Sequence, residues 1–265
     1  MKRQAFMILT LSLLVMLTVR LVSARADMRI AATTTTGEKS SPGAVLFYNA
    51  RSGVGATARI DGTGSYAFVS SIPGFARGWT QIVGASNGGV FFYNASTGEG
   101  ATARIDDTGT YQFVRSISGF ARGWTHIVSA NQGSLLFYNS ESGAGATARL
   151  DSAGNYQFVR SISGFATGWT HITGTASGGI IFYNASTGEG ATSRLDSAGV
   201  YTFVRSIHGF ARAWSRITGV SNGGLLFYND STGDGATARL DGADNYTFVG
   251  SVHGFATKWT HIAGL

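Results

Sequence analysis

Five tryptophans, Trp79, Trp124, Trp169, Trp214 and Trp259, stand 45 residues apart with no insertion or deletion between them. The ten tyrosines keep the same period. Tyr48, Tyr93, Tyr138, Tyr183 and Tyr228 lie in Phe-Tyr-Asn motifs, and Tyr66, Tyr111, Tyr156, Tyr201 and Tyr246 begin Tyr-x-Phe-Val motifs. So strict a period means one supersecondary unit repeated, each copy burying its apolar face against the next. The array runs from about Ser41 to Leu265, and no second folded domain is expected within these residues.

Within one period the pattern is that of short strands and glycine-rich turns. Leu225 to Asn229 is an apolar aromatic strand ended by Asp230 to Gly235. Ala236 to Asp241, Tyr246 to Val249 and Trp259 to Ile262 follow, separated by Gly242 to Asn245 and by the His253-Gly254-Phe255-Ala256 stretch. No glycine-free window in the repeats is long enough to hold a helical apolar period. Four strands in about 45 residues make a propeller blade. The sequence therefore predicts an all-β chain, a five-bladed β-propeller with four antiparallel strands per blade, over residues 44–265. The first repeat has no Trp-Thr strand before Val45, and the chain stops just after one. The last strand, Trp259 to Ile262, is thus expected to complete the first blade and close the ring.

The amino terminus reads differently. Lys2 and Arg3 precede an apolar run from Ala5 to Val19, and Ala24-Arg25-Ala26 resembles an export cleavage site, so residues 1–26 are expected to be a signal peptide. At about 15 residues the run is short of the roughly 20 a spanning helix needs, so no stable membrane insertion is expected after cleavage. Residues 27–43 are polar and small and read as a flexible linker. A secreted, extracellular chain follows.

Four of the 20 basic residues, and none of the 14 acidic ones, precede Asp27, so the mature chain carries 16 basic against 14 acidic residues. Its remaining basic groups recur blade by blade, unlike the concentrated patch of a nucleic-acid binder, and no nucleic-acid partner is expected. Without cysteine there are no disulfides or thiolate metal sites.

The candidate binding residues are those that every blade repeats. Asn49, Asn94, Asn139, Asn184 and Asn229 each head a turn of the Ala-Ser-Thr-Gly-Glu-Gly type, which turn chemistry explains on its own and which also offers amides and hydroxyls to a ligand. Trp79, Trp124, Trp169, Trp214 and Trp259 suit wedges between blades, or platforms for a sugar face. The Arg-x-Asp pairs, such as Arg239 and Asp241, share a strand face and read as surface ion pairs or turn anchors. His126, His171 and His261 share one position, but Gln81 and Arg216 fill it elsewhere, which argues against a metal. Because the copies distribute the same residues evenly, no catalytic set is expected, and no metal or cofactor.

The run Gly-Trp-Thr-x-Ile, leading through glycine to Leu-Leu-Phe-Tyr-Asn and Thr-Gly-x-Gly, resembles the tachylectin-type five-bladed β-propeller lectins and related bacterial repeat propellers. That resemblance implies one N-acetylated sugar per blade, held in a groove between neighbours. The expected function is a secreted, multivalent, lectin-like carbohydrate-binding protein that is not an enzyme, with glycans or glycoconjugates as partners and avidity from equivalent weak sites. The alternative is an extracellular structural or protein-interaction module without a small ligand. If the last strand closes the ring, deleting residues 259–265 exposes unpaired strand edges. Thermal unfolding should then show a loss far larger than seven terminal residues would otherwise cause.

Overall fold

The computed structural model describes residues 43–61, 63–220, 222–258 and 262, within one compact unit, Lys39–Leu265. It is a five-bladed β-propeller. The first blade comprises β1 (Gly43–Asn49), β2 (Val54–Ile60) and β3 (Tyr66–Ile72), paired in that order. The second runs β4 (Gln81–Gly84), β5 (Gly89–Asn94), β6 (Glu99–Ile105) and β7 (Tyr111–Ile117). The third has β8 (His126–Ala130), β9 (Ser134–Tyr138), β10 (Gly145–Leu150) and β11 (Tyr156–Ile162). The fourth has β12 (His171–Gly174), β13 (Gly179–Tyr183), β14 (Gly190–Leu195) and β15 (Tyr201–Ile207). The fifth has β16 (Arg216–Gly219), β17 (Gly224–Tyr228), β18 (Gly235–Leu240) and β19 (Tyr246–Val252). All pairings are antiparallel. Trp259, Thr260 and His261 of the expected closing strand lie outside the described residues, as do the segment expected to be a signal peptide and most of the expected linker.

The continuous apolar runs of the second strands are buried on both faces. Phe91, Phe92 and Tyr93, and likewise Leu135 to Tyr138, are almost wholly excluded from solvent. A strand with one wet face would alternate; these do not, because the second and third blades, like the fourth, are each packed between two others. Small residues on the next strand, such as Ala101 and Ala103, let the blades approach, and together these residues form the clusters between blades. Phe47, the copy in the three-stranded blade, is 46% exposed. Towards the axis the innermost strands meet through backbone. A Cβ on Gly174 would stand 2.2 Å from the Ser129 carbonyl oxygen, and one on Gly219 would stand 2.6 Å from that of Gly174.

Two sets of polar contacts join successive blades. Each Phe-Tyr-Asn tyrosine donates its hydroxyl to the segment entering the next blade, Tyr93 to the Ala121 carbonyl at 2.8 Å and Tyr138 to that of Ala166 at 2.8 Å. The same oxygens accept the backbone N–H of Trp124 at 3.3 Å and of Trp169 at 3.4 Å. Burial holds the phenols of Tyr93, Tyr138 and Tyr183 above their ordinary pKa, so they stay protonated donors. On the outer strands Arg115 and Arg160 reach across to the Tyr156 and Tyr201 carbonyls, each at 2.8 Å.

The Arg-x-Asp aspartates anchor turns. Asp106 accepts from the Thr108 hydroxyl and from the backbone N–H groups of Thr108 and Thr110. Those bonds, the Thr108 hydroxyl foremost, hold its carboxyl below the usual range. One turn departs from the repeat. Gly64, Gly109, Gly154 and Gly199 adopt positive φ at the position where the fifth blade has Asp244, at φ 60°. Its buried carboxylate lies 2.6 Å from Arg194 Nε of the fourth blade. Burial raises the Asp244 pKa, with Arg194 opposing the rise.

Tyr138→Phe keeps the ring but leaves the Ala166 carbonyl and the Trp169 N–H without their partner. The expected loss is about 1–3 kcal/mol, read by urea unfolding, with the blade packing intact.

Candidate functional site

The segment that leaves an outer strand and enters the next blade builds the site. After Ile207, Gly209 turns the chain at φ 83° and the Phe210 N–H bonds to the Gly188 carbonyl at 3.1 Å. The Phe210 ring then lies so close to Gly190 that a Cβ there would stand 2.2 Å from its edge. Glycine is required, and the ring fills the space its side chain would take. Phe210 meets Tyr246 edge-on at 4.9 Å and lies 5.6 Å from Phe227, while Trp214 sits 5.9 Å from Phe227.

These rings wall a cavity of about 300 Å³ between the fourth and fifth blades, lined also by His208, Phe248 and Ser251. A twin of about 270 Å³ lies one blade earlier, with Phe165, Trp169, Tyr201 and Phe203 in place of Phe210, Trp214, Tyr246 and Phe248, and Ser163 where the other has His208. Phe203 and Phe248 are 55% and 54% exposed, aromatic faces left open to solvent at the cavities. Burial pushes the Tyr246 phenol up to about 12, so its hydroxyl is neutral across the working pH range.

The twins differ in one respect that bears on chemistry. His208 Nδ1 lies 2.5 Å from Glu189 Oε2. Glu189 stands just before β14 at the end of the Asn184 turn, so the turn and the crossing segment bring together residues 19 apart. One blade on, His253 Nδ1 and Asp234 Oδ1 are 2.8 Å apart, and the bond to His253 is the first cause holding the Asp234 carboxyl below its usual range. At the equivalent positions the other blades carry Val54 with Pro73, Glu99 with Ser118, and Ala144 with Ser163. Among the described residues no group of three or more acidic, histidine or cysteine side chains could hold a metal ion.

The residues singled out from the sequence divide. The oxygens of Asn49, Asn94, Asn139, Asn184 and Asn229 each accept two backbone N–H groups of their own turn, for example Ser186 at 2.9 Å and Thr187 at 3.2 Å for Asn184. The Asn139 amide also donates to the Gly123 carbonyl at 2.8 Å. Trp79 and Trp124 pack on Phe92 and Phe137, Trp169 and Trp214 line the two cavities, and Trp259 lies outside the described residues. Two features escaped the sequence reading, the open Phe203 and Phe248 faces and the Glu189–His208 pair. The available signal for the pair was comparison between copies, since histidine before Gly-Phe occurs only where an acid stands 19 residues earlier.

No protein-family model and no curated protein sequence matches the chain. Its fold is similar to solved structures at low identity. A protein from Lactobacillus plantarum is 11% identical with a TM-score of 0.55, the match covering 83% of this chain and 69% of that one. A Bacteroides fragilis protein provisionally named a 6-phosphogluconolactonase is 13% identical with a TM-score of 0.54, covering 84% and 69%. The periplasmic gluconolactonase of Pseudomonas aeruginosa is 14% identical with a TM-score of 0.51, covering 82% and 68%. Identities this low establish the fold. The chain is a β-propeller, and no narrower family is assigned to it.

These findings correct two expectations from the sequence, a lectin-like function and a chain that is not an enzyme. Two of the three structures above carry lactonase names, and none of them is named a lectin. The physical reasons are local. The asparagines proposed to face a sugar have their oxygens occupied by their own turns, and the evenness that argued against catalysis breaks down at Glu189 and His208.

Proposed function

We propose that the chain is a hydrolase of small cyclic esters, with the reaction placed in the cavity between the fourth and fifth blades. The observation that carries this reading is the 2.5 Å contact between His208 Nδ1 and Glu189 at the mouth of that cavity. A carboxylate on Nδ1 fixes the tautomer with the proton on that nitrogen and leaves Nε2 free to act as a base. A cavity of about 300 Å³ suits a single ring, whose C–H face packs on Trp214 and Phe248. The names carried by two propellers of similar fold support the same chemistry.

In this reading Nε2 of His208 takes a proton from water as the oxygen attacks the ester carbonyl carbon. The hydroxyls of Tyr246 and Ser251 are the donors available to the oxyanion. As the ring C–O bond breaks, the imidazolium returns its proton to the leaving alkoxide, and a hydroxy acid is released. We further propose that the chain acts outside the cytoplasm, a reading supported by the segment Lys2 to Ala26.

The test is a pH-stat assay of lactone hydrolysis with glucono-δ-lactone and its 6-phosphate. His208→Gln is expected to lower kcat/KM by about 10²-fold or more while leaving the unfolding temperature unchanged, since the side chain is 76% exposed. The twin cavity allows the converse experiment. Installing Ala144→Glu with Ser163→His should restore hydrolysis to the His208→Gln protein. A wild-type chain inert towards both lactones would reject the reading.

A further inference from the structure

We propose that Asp234 and His253 form a second hydrolytic pair, set in an open cleft between the fifth and first blades and suited to esters of long apolar acyl chains. The proposal rests on the same reading of a carboxylate–imidazole pair as the function above. One blade on, the pair repeats the disposition of Glu189 and His208. Gly235 faces Val252 at the end of the β18–β19 hairpin as Gly190 faces Ile207, and the two functional residues stand one step beyond. Asp234 Oδ1 lies 2.8 Å from His253 Nδ1. The proton of the neutral ring is thereby held on Nδ1, and Nε2 is left to act as a base. The Phe255 ring rests on Gly235 as Phe210 rests on Gly190, and a Cβ on Gly235 would stand 2.5 Å from its edge.

What differs is the opposite wall. At four junctions the crossing phenylalanine meets the first tyrosine of the next outer strand edge-on. Phe75 meets Tyr111 at 5.0 Å, Phe120 meets Tyr156 at 5.2 Å, and Phe165 and Phe210 meet Tyr201 and Tyr246 at 4.9 Å. Further out, Val69, Val114 and Val159 press on the next turn, 2.8, 2.7 and 2.9 Å from a Cβ placed on Gly109, Gly154 and Gly199. Among the described residues the fifth and first blades make neither contact. Tyr66 is 57% exposed where its four copies are half-buried, Val249 is 59% exposed, and a Cβ on Gly64 would meet nothing within 4 Å.

An aromatic wall drawn in against Phe210 limits the first site to a single ring. Here the corresponding wall stands off, and the flank of His253 is open to longer molecules. The residues that the two blades turn towards each other, Tyr66, Phe68 and Val249, are exposed and uncharged. Each methylene of an acyl chain laid against them leaves water, which favours apolar esters over polar ones. In the reaction Nε2 of His253 takes a proton from water as the oxygen attacks the acyl carbon. The C–O bond to the alcohol then breaks, the imidazolium returns its proton to the departing oxygen, and a carboxylic acid and an alcohol are released.

The probe is 2-naphthyl octanoate, whose fused rings and long chain exceed a single-ring cavity, with the released naphthol read by fluorescence. His253→Gln is expected to lower kcat/KM for this ester by about 10²-fold. The unfolding temperature should hold, since the side chain is 77% exposed. A second variant tests the placement. The chain has no cysteine, so Val249→Cys offers a single thiol. Capping it with a benzyl methanethiosulfonate should suppress hydrolysis of the naphthyl ester, and reduction with a thiol should restore it. A wild-type chain inert towards the naphthyl ester, or hydrolysis indifferent to His253→Gln or to the cap, would overturn the proposal. The two readings fail separately. Lactone hydrolysis without naphthyl ester hydrolysis rejects the open cleft alone, whereas His253-dependent hydrolysis of the naphthyl ester by a chain inert towards lactones upholds the cleft and rejects the cavity.

Discussion

The hydroxyl of the buried Phe-Tyr-Asn tyrosine ties each blade to the segment that starts its successor. It donates to an alanine carbonyl and accepts a tryptophan N–H, so one oxygen fixes two points of an otherwise irregular stretch of chain. A buried oxygen with both roles filled is expensive to disturb, because either partner left alone keeps its desolvation penalty. Everything that lies between blades follows from that anchoring. With Ala211 and Trp214 fixed against Tyr183, the Phe210 ring must rest on Gly190, and the cavity beside it takes its shape from the rings that remain.

The architecture was legible because it rests on periodicity. The 45-residue spacing, the apolar second strand and the glycine turns lead to a blade without any knowledge of contacts, and the asparagine turns follow from local chemistry. The site was less legible because its geometry belongs to paths the chain takes between blades. Glu189 and His208 lie 19 residues apart, one step beyond the paired residues Gly190 and Ile207 at the open end of an outer hairpin, and the register that sets them opposite each other includes a bulge between Thr192 and Ser193 that residue alternation does not reveal. The Arg-x-Asp pair left two readings open, ion pair or turn anchor, and the structure selects the second: the two-residue strand period places Arg104 and Asp106 on one face, and the aspartate turns to the backbone N–H groups of its own hairpin, a closer set of partners than a flexible guanidinium.

Evenness across the copies marks the residues of the scaffold, and departures from it mark the candidates for chemistry. Where all blades agree, the residue serves the blade: the tyrosine hydroxyl, the turn asparagine and the glycine under the phenylalanine ring. At the two cavities, the departure from the repeat has no architectural duty to perform. The His208 and Ser163 cavities have nearly the same walls, so the imidazole and its carboxylate are additions to a scaffold that stands without them.

The Asp244–Arg194 pair has a consequence for how firmly one junction is held. Every blade carries an arginine at the position of Arg194, but one turn answers it with a buried carboxylate where the others have glycine. A buried charge that loses its partner keeps its desolvation cost, so separating the fourth blade from the fifth strands a charge as well as exposing apolar surface. That junction is closed by a clasp, where the Gly109, Gly154 and Gly199 turns meet their neighbours by shape.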